Sequence, residues 1–273
     1  MNSRRLIVNA DDFGRSPSIN EAVIRAHREG ILTSASLMMN ELACDEAVEL
    51  ARKNPRLGVG LHLTLLCGHS AISPVRIPGL VNARGEFSEQ PATSGLRYFM
   101  NRDLREQLRM EIHEQFQRFA ATGLELDHVN GNLHMHLHPV VFRILMDDWD
   151  QLGFKRARLT RDRFWINTKL DGGRWFYRTS HAVIYQILAA RSRGDFLKRD
   201  IKHTRHVFGL MQDSHVDERY ITKLLPLLPP GDSELYSHPS LDKFKHEFDA
   251  LISPRVKDLV KKLGIELVRY QDL

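Results

Sequence analysis

The chain has 273 residues, 42% apolar and 27% charged, which suits a globular protein of one α/β barrel domain or two smaller domains. No apolar stretch approaches the roughly 20 residues of a membrane-spanning helix, and the run Leu6, Ile7, Val8 is too short for a signal-peptide core. Cys44 and Cys67 make no disulfide framework; they read as small buried hydrophobes in a reducing, cytoplasmic setting.

Leu6, Ile7 and Val8 predict a buried strand with Asn9, Ala10, Asp11 and Asp12 at its C-terminal end. Parallel α/β folds place their chemistry at that end. Adjacent carboxylates repel, and a divalent cation beside them relieves the conflict while leaving one free to act as a base. An Asx turn with an N-cap is the alternative reading of the pair. Ser18 and Glu21 suggest a capping box for a helix with Ile19, Ala22, Val23 and Ala26 on its apolar face, ending near Gly30. A strand over 31–39, a helix over 45–53 and a strand over 57–65 bearing His62 follow. Residues 67–101, rich in Gly, Pro and Ser, read as a lid or insertion. Leu104, Leu108, Ile112, Phe116 and Phe119 then line a helix stopped at Gly123.

The next predicted strand, 124–130, runs into a segment with four histidines in eleven positions, His128, His134, His136 and His138. In an extended conformation Asn132, His134, His136 and His138 share one face, and Leu133, Met135 and Leu137 share the other; in the chain the segment is expected to be the C-terminal loop of the strand. Beside Asp-Asp and His62, such imidazoles favour metal binding over a polar core, because imidazole with carboxylate suits zinc and similar divalent ions. Pro139 fits the first turn of a helix through Leu152. Later strands are expected at 157–159, 206–210, 234–237 and 265–268, with helices near 181–193, 217–228 and 254–263. This alternation implies a parallel sheet. Periodicity alone does not separate a barrel from an open doubly wound sheet.

The net charge of +5 is uneven: residues 155–205 hold fourteen Lys or Arg against four Asp. Phe164, Trp165, Trp175, Phe176 and Tyr177 are interleaved with them. No nucleic-acid motif accompanies this segment, so the expected partner is an anionic membrane surface; a solvated basic face is the alternative.

The order of motifs resembles the YdjC-like carbohydrate deacetylases. Leu6-Ile7-Val8-Asn9-Ala10-Asp11-Asp12-Phe13-Gly14 is similar to the opening motif, Gly60-Leu61-His62 to the second, the segment ending His138-Pro139 to the third, and Glu234-Leu235-Tyr236-Ser237-His238-Pro239 to the late His-Pro strand. Within that family, Asp127-His128-Val129-Asn130-Gly131 followed by Leu133-His134-Met135-His136-Leu137-His138-Pro139 looks most like the hopanoid-biosynthesis deacetylase HpnK. The resemblance implies an irregular TIM-like (β/α) barrel in one domain over 1–273, with insertions at 67–101 and within 155–205.

The resemblance also implies a divalent metal, zinc or magnesium-like, held by Asp12, His62 and position 132, with Asp11 as general base and His238 as general acid. Asn9, Asn130, His134 and His136 would bind substrate hydroxyls. The implied substrate is an N-acetylglucosamine-containing glycolipid or oligosaccharide, and the location cytoplasmic or peripheral at the inner membrane surface. Asn132 departs from the pattern, which has histidine there, and an amide oxygen is a poorer zinc donor. A deliberate replacement fits best, since every other motif position is intact; natural drift and reassignment of the ligand to His134 are the alternatives. A metal phosphoesterase and a non-catalytic sugar-binding relative are the competing functions, the first disfavoured by the lack of a Gly-rich phosphate cradle.

Overall fold

The strands are β1 (Arg4–Phe13), β2 (Ser34–Leu37), β3 (Gly58–Leu63), β4 (Leu126–Gly131), β5 (His206–Phe208), β6 (Gly231–Ser237) and β7 (Ile265–Leu267), the central ones β1, β2 and β3 being the most fully buried. The computed structural model describes residues 3–161, 175–210, 212 and 215–273, and the side chains of all of these except 175–185. Within them every strand pairing is parallel, in the order β4-β3-β2-β1-β6-β5, with β7 beside the start of β1. Such a sheet must be covered on both faces, which is why β1 is buried from Leu6 to Phe13.

The sheet curls, and an irregular segment joins its edges. Val129 donates its backbone N–H to Arg156 O, and Arg158 returns one to Val129 O. On the other side Ala157 donates to Lys202 O, and Val207 donates to Arg161 O. Residues 155–161 thus form a seam between β4 and the run into β5. The strand expected at 157–159 exists only as an isolated parallel bridge at Ala157. The architecture is an irregular TIM-like barrel in a single domain.

Several boundaries differ from expectation for identifiable reasons. Ser16, not Ser18, caps the first helix, Pro17–Glu29, accepting from Ile19 N, because Pro17 is suited to the first helical position. The Ser18 hydroxyl instead accepts from Leu241 N at 3.1 Å. Residues 67–101 are not wholly irregular: antiparallel bridges pair His69 with Glu86 and Val81 with Phe87, and a helix spans Pro91–Met100. The helix begun by Pro139 breaks at Asp148, whose side chain accepts from His113 and forms an ion pair with Arg109. A helix at Lys245–Ile252 was not expected. Trp165 and Arg174, and the side chains of Trp175 and Arg178, lie outside the described residues.

Two glycines of β3 make room for polar side chains of β4. A Cβ on Gly58 would sit 2.7 Å from the Asp127 carboxyl, and one on Gly60 would sit 2.5 Å from the His128 ring and from its carbonyl oxygen. Both neighbours are fully buried, so neither can swing into solvent. Gly60→Ala should therefore cost about 1–3 kcal/mol, the usual range for overpacking. A lower urea midpoint at unchanged m-value would register it.

Candidate active site

β1 continues to Phe13, so Asp11 and Asp12 belong to the strand rather than to a following turn. Between Ala10 and Phe13 the register against β2 shifts, and Asp12 takes φ of 66°. A non-glycine residue in that region stores strain, which the surrounding contacts must hold. The bulge delivers two consecutive carboxylates to one place.

Asp11 is almost completely buried. Its Oδ1 accepts from Asn9 Nδ2 at 2.7 Å, Arg158 Nη2 at 2.8 Å and Asn130 Nδ2 at 3.1 Å. Its Oδ2 accepts from Arg158 Nη1 at 2.7 Å. Burial alone would raise the carboxyl pKa, but the Arg158 charge, His62, the guanidinium hydrogen bonds and His238 together hold it far below the ordinary range. The arginine therefore favours the ionised form of Asp11. Arg158 is itself fully buried and reaches Glu234 Oε1 through Nε at 3.0 Å and Nη2 at 2.7 Å. The other Glu234 oxygen accepts from the Tyr270 hydroxyl at 2.5 Å.

His62 stands across from Asp12. Asn130 directs both its amide hydrogens elsewhere, to Asp11 and to Ser36 Oγ at 2.8 Å, so its oxygen must be the end that meets His62 Nδ1 at 2.7 Å. His62 therefore carries its proton on Nδ1. Burial keeps the ring neutral, pushing its pKa down against the pull of Asp11 and Asp12. Nε2 is left as a bare lone pair 3.5 Å from Asp12 Oδ1. Arg15 Nη1 donates to the other Asp12 oxygen at 3.0 Å. A lone pair opposed to a carboxylate oxygen is unfavourable unless a cation joins them, and a nitrogen–oxygen donor pair of this kind fits a divalent metal. Among the described residues no three His, Cys, Asp or Glu side chains gather into a metal-binding group. The third expected position, Asn132, is buried and donates from Nδ2 to Leu66 O at 2.9 Å, so its carbonyl end is the one available to a cation.

The His-rich segment is not extended. Asn132–Leu137 form a 3-10 turn with Leu133 and His134 in left-handed conformation, φ 50° and 58°. The alternating faces are replaced by a turn in which Leu133 is exposed while Met135 and Leu137 enter the core. His134 Nε2 meets the Tyr236 hydroxyl at 3.3 Å. His136 donates from Nε2 to the Arg158 carbonyl at 2.9 Å, and burial pushes its pKa down to about 3. His138 donates to Gly95 O, docking the helix Pro91–Met100.

Asn9 and Asn130 were expected to meet substrate hydroxyls. Both are fully buried, and their amide hydrogens are committed to Asp11 and Ser36, so they orient the site from beneath. His136 likewise braces the seam. The half-buried His238 packs edge-on to Tyr236, with ring centroids 5.6 Å apart. Its backbone N–H is held by Glu247 Oε2 at 2.5 Å, while Glu247 Oε1 accepts from Val216 N at 3.0 Å.

Sequence reasoning missed Arg158, Glu234, Glu247 and Tyr236. Tyr236 lies 4.4 Å beneath the Arg158 guanidinium and touches the rings of both His134 and His238. The available signal was a lone arginine between Ala157 and Leu159, and a lone glutamate opening the apolar strand before Leu235.

Arg158→Met would leave Asp11 and Glu234 buried without their counter-charge, which costs about 3–5 kcal/mol at neutral pH. The pH dependence should also change sign at Asp11. In the parent its depressed pKa gives stability that is present above the unfolded carboxyl value of about 3.9 and is lost as pH falls below it. In the variant burial raises that pKa, so the gap between the two proteins should narrow on acidification. Urea unfolding from pH 7 to pH 4 would check both.

Comparison with known proteins identifies the family. The family described as YdjC-like protein matches residues 5–262. A carbohydrate deacetylase of Brevibacillus brevis is 41% identical over 144 residues, covering 52% of this chain and 54% of that protein. The matched region thus spans about half the length of such relatives. A chitooligosaccharide deacetylase of Proteus mirabilis is 34% identical over 281 residues, covering 98% of each chain. A solved structure, a proposed cellobiose-phosphate cleavage protein from Enterococcus faecalis V583, superposes with TM-score 0.76 at 22% identity over 99% of this chain and 98% of that one, which speaks to the fold alone. With the match running from β1 almost to the C-terminus, this chain belongs to the YdjC-like family.

Proposed function

We propose that this chain is a metal-dependent carbohydrate N-deacetylase, an amide hydrolase that removes the acetyl group from an N-acetylglucosamine-containing substrate. The observation that carries the reading is the bare Nε2 of His62 opposed to Asp12 beside an ionised Asp11. The likeness to the Proteus mirabilis chitooligosaccharide deacetylase supports it. Asp12 and His62, with the Asn132 carbonyl as a weak third donor, would hold a zinc or magnesium-like ion. A bound ion of this kind supplies polarisation of the amide carbonyl and a lowered pKa for water.

The chain's own groups supply the proton movements. Asp11 takes the proton of the attacking water as general base, and its four donors hold it beforehand in the ionised form that a base needs. His238 delivers a proton to the departing amine, which leaves poorly without one. Tyr236 sets the spacing between His238 and His134. The stretch from Asp127 to Pro139 supports an N-acetylglucosaminyl hopanoid as the acceptor, whereas the Proteus mirabilis relative favours a chitooligosaccharide. Acetate release from the two substrates side by side tests this. Turnover of the oligosaccharide alone would reject the hopanoid, and failure of both in a protein that binds sugar would leave a non-catalytic relative.

No helix among the described residues is long and apolar enough to cross a membrane. Peripheral docking of residues 155–205 on anionic bilayers accords with Ile187 and Leu197, 54% and 64% exposed, beside exposed Arg191 and Arg193. Arg158 cannot contribute, being fully buried. Charge reversal at Arg174 and Arg178 should lower sedimentation with anionic vesicles at low salt, and an absence of any anionic-lipid preference in the parent would end the membrane reading.

Asp12→Ala should abolish zinc binding, whereas Asp11→Asn should largely spare it and lower turnover. Isothermal titration with the metal, run beside the acetate assay, separates the roles, and equal metal loss in both variants would make them a joint ligand pair. Asn132→His should raise zinc affinity about tenfold or more, imidazole being the stronger donor to borderline metals. Tight zinc binding and full turnover in the parent would instead make His134 the third ligand.

A further inference from the structure

Beneath the carboxylates lies a Ser-His-Asp constellation that the function above does not use. Asp127 Oδ2 meets His128 Nδ1 at 2.9 Å, and His128 Nε2 meets Ser36 Oγ at 2.9 Å. All three residues are completely buried. A nucleophilic triad needs a serine oxygen open to substrate. Here both lone pairs of Ser36 Oγ are taken, by Asn9 Nδ2 at 2.9 Å and Asn130 Nδ2 at 2.8 Å.

The direction of every hydrogen in this chain follows from its ends. Asp127 is an acceptor, with its other oxygen already taking the Gln271 N–H at 2.9 Å, so His128 is protonated on Nδ1. His128 Nε2 then accepts, so Ser36 must donate its only hydrogen to it. With that hydrogen spent, the lone pairs of Ser36 Oγ can only accept, which together with Asp11 Oδ1 obliges Asn130 to present its nitrogen there. With its nitrogen fixed, Asn130 must present its oxygen to His62 Nδ1. The ring of Tyr270 stacks on His128, centroids 4.4 Å apart at 19°, and blocks rotation of the imidazole.

We propose that Asp127, His128 and Ser36 form a buried positioning relay that locks the amide of Asn130 and thereby the tautomer of His62, keeping Nε2 unprotonated and turned toward Asp12. The inference rests on the reading of His62 as a metal ligand and adds the device that makes it one. Outer groups that orient a metal-binding imidazole commonly change affinity 10–100-fold when removed.

Asp127→Asn is the informative variant because it preserves shape. The Gln271 N–H pins the new amide oxygen, so the amide nitrogen faces His128 Nδ1 and drives the imidazole proton to Nε2. Ser36 Oγ then faces three donors with two lone pairs, and one asparagine must let go. Nitrogen-15 NMR of the full chain without metal should show His128 as the Nδ1–H form in the parent and the Nε2–H form in the variant. His62 should acquire a fraction of Nε2–H, and affinity for Zn²⁺ alone, measured by calorimetric titration, should fall about tenfold or more. Ser36→Ala, which removes the shared acceptor outright, should move His62 and the metal affinity the same way and serves if Asp127→Asn does not fold. The relay is overturned by an Nε2–H form of His128 in the parent, or by a folded variant of either kind whose His62 tautomer and Zn²⁺ affinity match the parent. Failure of the parent to bind Zn²⁺ would instead count against the metal reading, and the His62 tautomer would still judge the relay.

Discussion

A single guanidinium with no access to water organises this molecule. Arg158 carries one positive charge between the carboxylates of Asp11 and Glu234, and neither it nor Glu234 has any solvent exposure. Burying three charges is costly, and four hydrogen bonds from the guanidinium to the two carboxylates offset that cost. The arginine fork meets Asp11 with two parallel bonds, a geometry that lysine could not reproduce. Asn9 and Asn130 complete one Asp11 oxygen, and the Tyr270 hydroxyl completes Glu234. Tyr236 packs against the guanidinium face. Residues from β1, β4, β6, the seam and the C-terminal turn thus converge on one cation.

Much of the frame was legible in the chain because it depends on local patterns. The strand and helix alternation, the strand bearing His62, the helix stopped near Gly123 and the strand leading to Asn130 all correspond to structure within a few residues. These elements are set by apolar periodicity and by Gly or Pro punctuation, which adjacent residues reveal. The motif positions Asp11, Asp12, His62 and Asn132 were visible as chemistry-bearing residues at strand ends. Their internal directions were not. Whether Asn130 faces a sugar or Asp11 depends on Ser36, 94 residues away. The same holds for Arg158, whose partners lie 147 and 76 residues distant; in the sequence it looked like one more member of a basic surface. The turn at residues 132–137 was concealed because an alternating polar pattern is compatible with a strand until the left-handed residues Leu133 and His134 are known.

The site is layered, and the layers have different tolerances. Asp12, Asn132 and His134 keep a small exposure, 8%, 8% and 7%, as groups at the floor of an open mouth would. Below them Asn9, Asn130, Ser36, His128 and Asp127 have none. In a dry interior a polar group without its partner costs far more than in water, so the lower layer admits few arrangements of its hydrogens. β3 contributes to that layer by omission, since Gly58 and Gly60 leave the volume that Asp127 and His128 fill.

The seam also bears on how the chain folds. Residues 155–161 are the irregular piece that closes the barrel between β4 and β5, and Arg158 is at their centre. A chain that has paired β1 with its neighbours but has not yet laid down the seam holds Asp11 and Glu234 without a counter-charge, and two such carboxylates draw water into the half-closed sheet. Contacts of long sequence separation form late because loop closure must precede them. Closing the barrel and neutralising the buried carboxylates thus draw on the same segment. The residue that supplies the charge beneath the carboxylates also sits in the segment that joins the two edges of the sheet.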